Sequence, residues 1–91
     1  MVLDAVPARL SALHLAGCGI GDYGAWLVAE SPGLARLVTL DLSDNCISND
    51  GARALVASPY LPCLQTLILK QNSISESTRN TLQDRFRHCL V

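Results

Sequence analysis

The sequence predicts an α/β solenoid. About three strand–turn–helix units wind into a right-handed coil, with a parallel sheet on the concave side and helices on the convex side. Three observations point there. Leu10, Leu37 and Leu64 open segments that align residue for residue, each 27 positions after the last (37 − 10 and 64 − 37). Each segment carries leucines two apart, the spacing of one strand face, then residues suited to a helix. Between the two halves, Cys18, Asn45 and Asn72 share a column, where the chain must turn.

The strands come first. Leu13 and Leu15, Leu40 and Leu42, and Leu67 and Leu69 form the inward pairs. His14, Asp41 and Ile68 lie between them and point the other way. The three-residue gap from Leu10 to Leu13 breaks strict alternation, so Leu10 belongs to the turn entering the strand. Strands of three or four residues follow.

At the turn, Asn45 and Asn72 are expected to be buried and to form a ladder between units, because one amide side chain both accepts from and donates to backbone groups left unpaired. Cys18 is expected to be buried in the same column, where it satisfies fewer groups and leaves a looser first turn. Ile20, Ile47 and Ile74 then align, as do Gly24 with Gly51 and Ser31-Pro32 with Ser58-Pro59.

Helices are signalled next. Ser48 and Ser75 stand where N-caps belong, with Asp50 and Glu76 in or near the first turn. Ala25, Val28 and Ala29, and likewise Ala52, Leu55 and Val56, supply the apolar faces. Pro32 and Pro59 stop the first two helices. The third lacks such a proline and is expected to run on through Arg85-Phe86-Arg87, with Leu82 and Phe86 turned inward.

Each unit thus reads LxxLxLxx(N/C)xI. This pattern resembles the leucine-rich repeat, and the unit length with a helix after the isoleucine is similar to the ribonuclease-inhibitor type. "NDGARALVASPYL" looks like repeats found in long bacterial arrays of that kind. The expected organisation is one domain, residues 1–91. Residues 1–9 form a partial unit or N-terminal tail, 10–36, 37–63 and 64–90 are repeats, and the last unit acts as C-terminal cap. Thr78, Arg79, Asn80, Gln83 and Asp84 give that cap its polar character. At the other end "LSALHL" would be an edge strand, open to self-association, to a preceding unit, or to cover by residues 1–9.

Composition excludes several classes. The net charge is −1, which gives no basic surface for nucleic acid. The one cationic cluster, Arg79, Arg85, Arg87 and His88, is accounted for by a helix C-terminus. Four cysteines, at 18, 46, 63 and 89, show neither a CxxC pair nor zinc-ligand spacing. No secretory signal or membrane-length apolar run is visible, so a cytoplasmic protein with reduced thiols is expected, without a Cys63–Cys89 disulfide.

The resemblance implies a non-enzymatic protein-binding surface on the concave sheet, with no cofactor or metal. Ala12, His14, Ala16 and Gly17 of the first unit face outward, then Thr39, Asp41, Ser43 and Asp44, then Thr66, Ile68, Lys70 and Gln71. Alignment sets His14 beside Asp41 and Ser43 beside Lys70. His14, Asp41 and Ser43 have hydrolase residue types, but a flat face offers no deep pocket and no oxyanion hole. Trp26 aligns with Arg53 and Asn80, on the outer side of its helix, either as a contact anchor or packed on Tyr23 or the tail. The alternative function is a structural cap of a longer leucine-rich repeat receptor or effector.

Overall fold

Short apolar pairs separated by turns can bury their leucines only by stacking, and the second and third units do so fully while Leu13 and Leu15 of the first are half-buried. The computed structural model describes residues 10–91. The elements are β1 (Ala12–His14), α1 (Gly21–Ala29), β2 (Thr39–Asp41), α2 (Asn49–Ala57), β3 (Thr66–Ile68), α3 (Glu76–Arg85) and β4 (His88–Leu90). A single 3-10 turn, Pro32–Leu34, separates α1 from β2. The expected role of residues 1–9 lies outside the described residues.

The strands pair in parallel in the order β1-β2-β3-β4. Leu13 lies against Leu40, Leu40 against Leu67, and Leu67 against Cys89. Pairing continues past the strand ends: Leu15 donates its N–H to Asp41 O, Leu42 to Ile68 O and Leu69 to Leu90 O. The core lies between this sheet and the helices. Leu40, Leu42, Leu67, Ile47, Val28, Leu55, Leu82 and Phe86 are all essentially inaccessible. Burying such aliphatic side chains stabilises by about 1.5–3 kcal/mol each before the cost of ordering the chain.

A fourth strand corrects the reading of the third unit. The helix ends at Arg85, Phe86 is extended (φ −114°, ψ 135°), and the chain turns into β4. Burial drives this. Phe86 and Cys89 both reach the core only if the backbone between them straightens, with Arg87 and His88 left outside. Cys89 therefore takes the inward position that leucine fills in the other strands. Thr78, expected among the polar cap residues, is buried and receives a hydrogen bond from Ser75 Oγ.

Asn45 and Asn72 each bond across two successive units. Asn45 Oδ1 accepts from the N–H groups of Cys18 (2.9 Å) and Ile20 (3.2 Å), and its Nδ2 donates to Leu15 O and Ser43 O. Asn72 Oδ1 does the same for Asn45 and Ile47, while its Nδ2 donates to Leu42 O and Leu69 O. Asn45 is completely buried and Asn72 half-buried. Cys18, expected to be buried, is exposed. The ladder reaches back toward the preceding unit, and no described unit lies behind Cys18. Its thiol turns to Ala16 O, and its own turn is held by Asn45.

Ser48 and Ser75 occupy the N-cap positions, yet neither hydroxyl caps its own helix. The cap of α2 comes from the neighbouring helix. Asp22 Oδ1 accepts the N–H of Ser48 (2.7 Å) and of Gly51 (3.1 Å), and Oδ2 accepts the Ser48 hydroxyl. A carboxylate serves here because it meets the positive end of the helix dipole. Gly51 must be glycine for the same reason, since a Cβ there would come within 2.5 Å of Asp22 Oδ1. Asn49 repeats part of the device, accepting the Ser75 N–H at 2.8 Å.

Two predictions follow from these bridges. Asn45→Ala should cost about 3 kcal/mol in urea unfolding, because it strands buried backbone groups on two units, whereas Cys18→Ala should change stability by less than about 1 kcal/mol. For Asp22, burial favours the neutral acid, but the Ser48 hydroxyl and the Ser48 and Gly51 N–H groups outweigh it and lower the carboxyl below its ordinary value of 3.8. A lowered native value means stability that is present above the unfolded value and lost as pH falls through the native one. Asp22→Asn should therefore be less stable than wild type by about 1 kcal/mol at neutral pH, and the gap should close below about pH 4 in acid titrations of the melting temperature.

Candidate protein-interaction face

Alternation along the strands splits each into one inward and two outward residues. Leu13, Leu40, Leu67 and Cys89 point in, so the outer face carries two rows. One row is His14, Asp41, Ile68 and Leu90; the other is Ala12, Thr39, Thr66 and His88. Of the residues singled out in the sequence, His14, Thr39, Asp41, Thr66 and Ile68 therefore lie on the sheet itself.

Ser43, Asp44, Lys70 and Gln71 lie beyond the strand ends, in the turns that lead to the helices. Gly17, Asp44 and Gln71 share one column and one left-handed conformation, with φ of 67°, 54° and 61°. Two side-chain-bearing residues are thus held where glycine is favoured. They border the face and leave its centre to the strands. Asp44 still joins the sheet pairing through its N–H to Lys70 O (2.9 Å).

The electrostatics are local. Asp41 Oδ1 accepts the Ser43 N–H at 3.0 Å and the Ser43 hydroxyl at 2.7 Å. The Ser43 hydroxyl hydrogen is therefore spent on a carboxylate in its own unit. His14 faces Asp41 in register, and among the described residues the single ion pair is Arg53–Asp50, at 3.3 Å on the outer side of α2.

Strand β4 adds two residues that sequence reading missed. Leu90, 46% exposed, sits beside Ile68, and His88 beside Thr66. The row His14, Asp41, Ile68 and Leu90 thus passes from polar to apolar, while the other ends on Thr66 and His88. The signal was the short alternation His88-Cys89-Leu90, which a helix extended through Arg87 concealed.

Away from the sheet, Trp26 is 47% exposed and stacks on Tyr23, with ring centroids 5.9 Å apart and planes 23° apart. All four cysteines are free, and Cys18, Cys46 and Cys63 are exposed. Burial pushes the Cys89 thiol up to about 11. No cluster of three metal-ligating side chains occurs among the described residues, and no helix there is long and apolar enough to cross a membrane.

A parallel sheet, helices on its far side and an amide ladder between successive turns agree with one family comparison. The family model described as Leucine Rich repeat matches residues 10–26 and 36–56. These matches support a leucine-rich repeat protein. They take in β1 with much of α1, and β2 with most of α2. No curated protein matches the chain. Leucine-rich repeat domains generally mediate protein–protein interaction and are typically non-enzymatic.

The thiols give a direct check on this packing. With a disulfide-exchange reagent near pH 8, Cys18, Cys46 and Cys63 should react quickly in the folded protein. Cys89 should wait for denaturant, because little of its thiol is ionised and its strand is paired.

Proposed function

We propose that this leucine-rich repeat chain is a non-enzymatic interaction module that holds a protein partner against the outer face of its sheet. The observation that carries the reading is the pair of outward rows across four strands. Backbone pairing fixes these side chains in advance, so little conformational freedom is lost when a partner docks. The contact surface comprises His14, Thr39, Asp41, Thr66 and Ile68, bordered by Ser43, Asp44, Lys70 and Gln71. The partner meets a polar patch around Asp41 and an apolar patch at Ile68 and Leu90. Helices of nine or ten residues after each turn support units of the ribonuclease-inhibitor type. Four free thiols fit a reducing, cytoplasmic setting. Self-association through edge strand β1 belongs to the same reading.

A second reading is favoured by the last unit. Arg79, Asn80, Gln83 and Asp84 stand exposed on α3, and β4 covers the edge of β3. Both features suit a structural cap of a longer repeat receptor or effector.

Quantitative affinity capture separates the two. Ile68→Glu and Asp41→Arg change half-buried sheet residues; the first should move the melting temperature little, and the second somewhat more because it gives up the two bonds from Ser43. Partner recovery should fall at least tenfold for either variant. Undiminished recovery with both would favour the cap.

A further inference from the structure

At the edge where the chain enters its strands, Val38, Pro62 and Leu64 wall an open groove of about 600 Å³, with Gln65, Arg85 and Arg87 at its rim. The two arginines flank the kink between α3 and β4. Arg85 is held in place: its Cζ lies 4.7 Å from the Phe86 ring centroid, and Nη2 is 3.5 Å from Ser58 O. Neither guanidinium belongs to an ion pair, the described residues holding the Arg53–Asp50 pair alone. No acidic side chain lines the groove among the described residues. Two unmatched cations over a partly apolar floor therefore sit in a chain whose net charge is −1.

We propose that this groove docks an acidic segment of the protein partner, a proposal that rests on the interaction reading and adds a second contact to it. Charge complementarity selects the occupant. Guanidinium forks pair bidentately with carboxylates, and such pairs are about twice as strong as neutral hydrogen bonds. The apolar part of the lining, Val38, Pro62 and Leu64, accepts the methylene stems of glutamate or an interleaved aliphatic side chain. A polyanion such as nucleic acid needs a broad cationic field, which two arginines in a net-negative chain do not provide. In this proposal the same partner has two contacts, the sheet rows and this groove.

The test is fluorescence anisotropy with a dye-labelled hexaglutamate peptide and the full chain at low salt. Saturable binding is expected, with hexalysine inert. The double variant Arg85→Gln/Arg87→Gln should weaken binding at least tenfold. Arg87→Glu alone should do so too, and it spares the Phe86 contact should loss of Arg85 disturb folding. Ile68→Glu should change this affinity less than twofold, so that failure of the sheet face and failure of the groove are read separately. Absence of saturable binding, or binding indifferent to Arg87→Glu, would overturn the proposal. So would displacement of the peptide by a single-stranded oligonucleotide or inorganic phosphate at concentrations below those of unlabelled hexaglutamate.

Discussion

The fold depends on pairing the backbone groups that each turn would otherwise leave bare inside the coil. A strand of three residues cannot satisfy the turn that follows it, and unpaired buried amides are costly. Asn45 and Asn72 resolve this with one side chain each, joining two successive units. Leucine burial supplies most of the driving force and decides which strand face turns inward. The amides add bonds that only the aligned register satisfies, and together they fix the rows of the outer face.

A second set of bridges does the same for the helices. Asp22 caps α2 from the helix beside it, and Asn49 repeats one of those bonds toward Ser75. The substitution of Thr78 in the column of Gly24 and Gly51 then makes sense. Gly51 lies under the Asp22 carboxylate and has no room for a Cβ. Asn49 reaches only the Ser75 N–H, which leaves space for Thr78 to be buried as a hydroxyl partner. Stacking thus acts through two bonded columns as well as through apolar contact.

Much of this was legible because repetition exposes it. The aligned leucines gave the inward pairs, and the shared Asn column gave the ladder. Two features stayed hidden. A cap supplied by Asp22 to a helix some 26 residues later has no local pattern, whereas Ser48 stands at the N-cap position itself. Strand β4 was hidden because Arg85-Phe86-Arg87 continues a helical spacing and Cys89 stands where leucine was the marker. Burial of Phe86 and Cys89 decided against the helix, a tertiary effect that local preference does not encode. The outward rows were legible where the strands were, and their last positions, His88 and Leu90, were hidden with β4.

The turns are braced from the carboxyl-terminal side and the helix starts from the amino-terminal side. Asn45 steadies the turn before it, and Asn72 steadies the turn holding Asn45, while Asn72's own bend is tied down by bonds to Leu69 and to the coil behind it. Removing the last coil would release the bend ahead of it, whereas removing the first would release the start of α2 that Asp22 holds. The two clasps pull from opposite sides, so trimming either end loosens whatever coil is left.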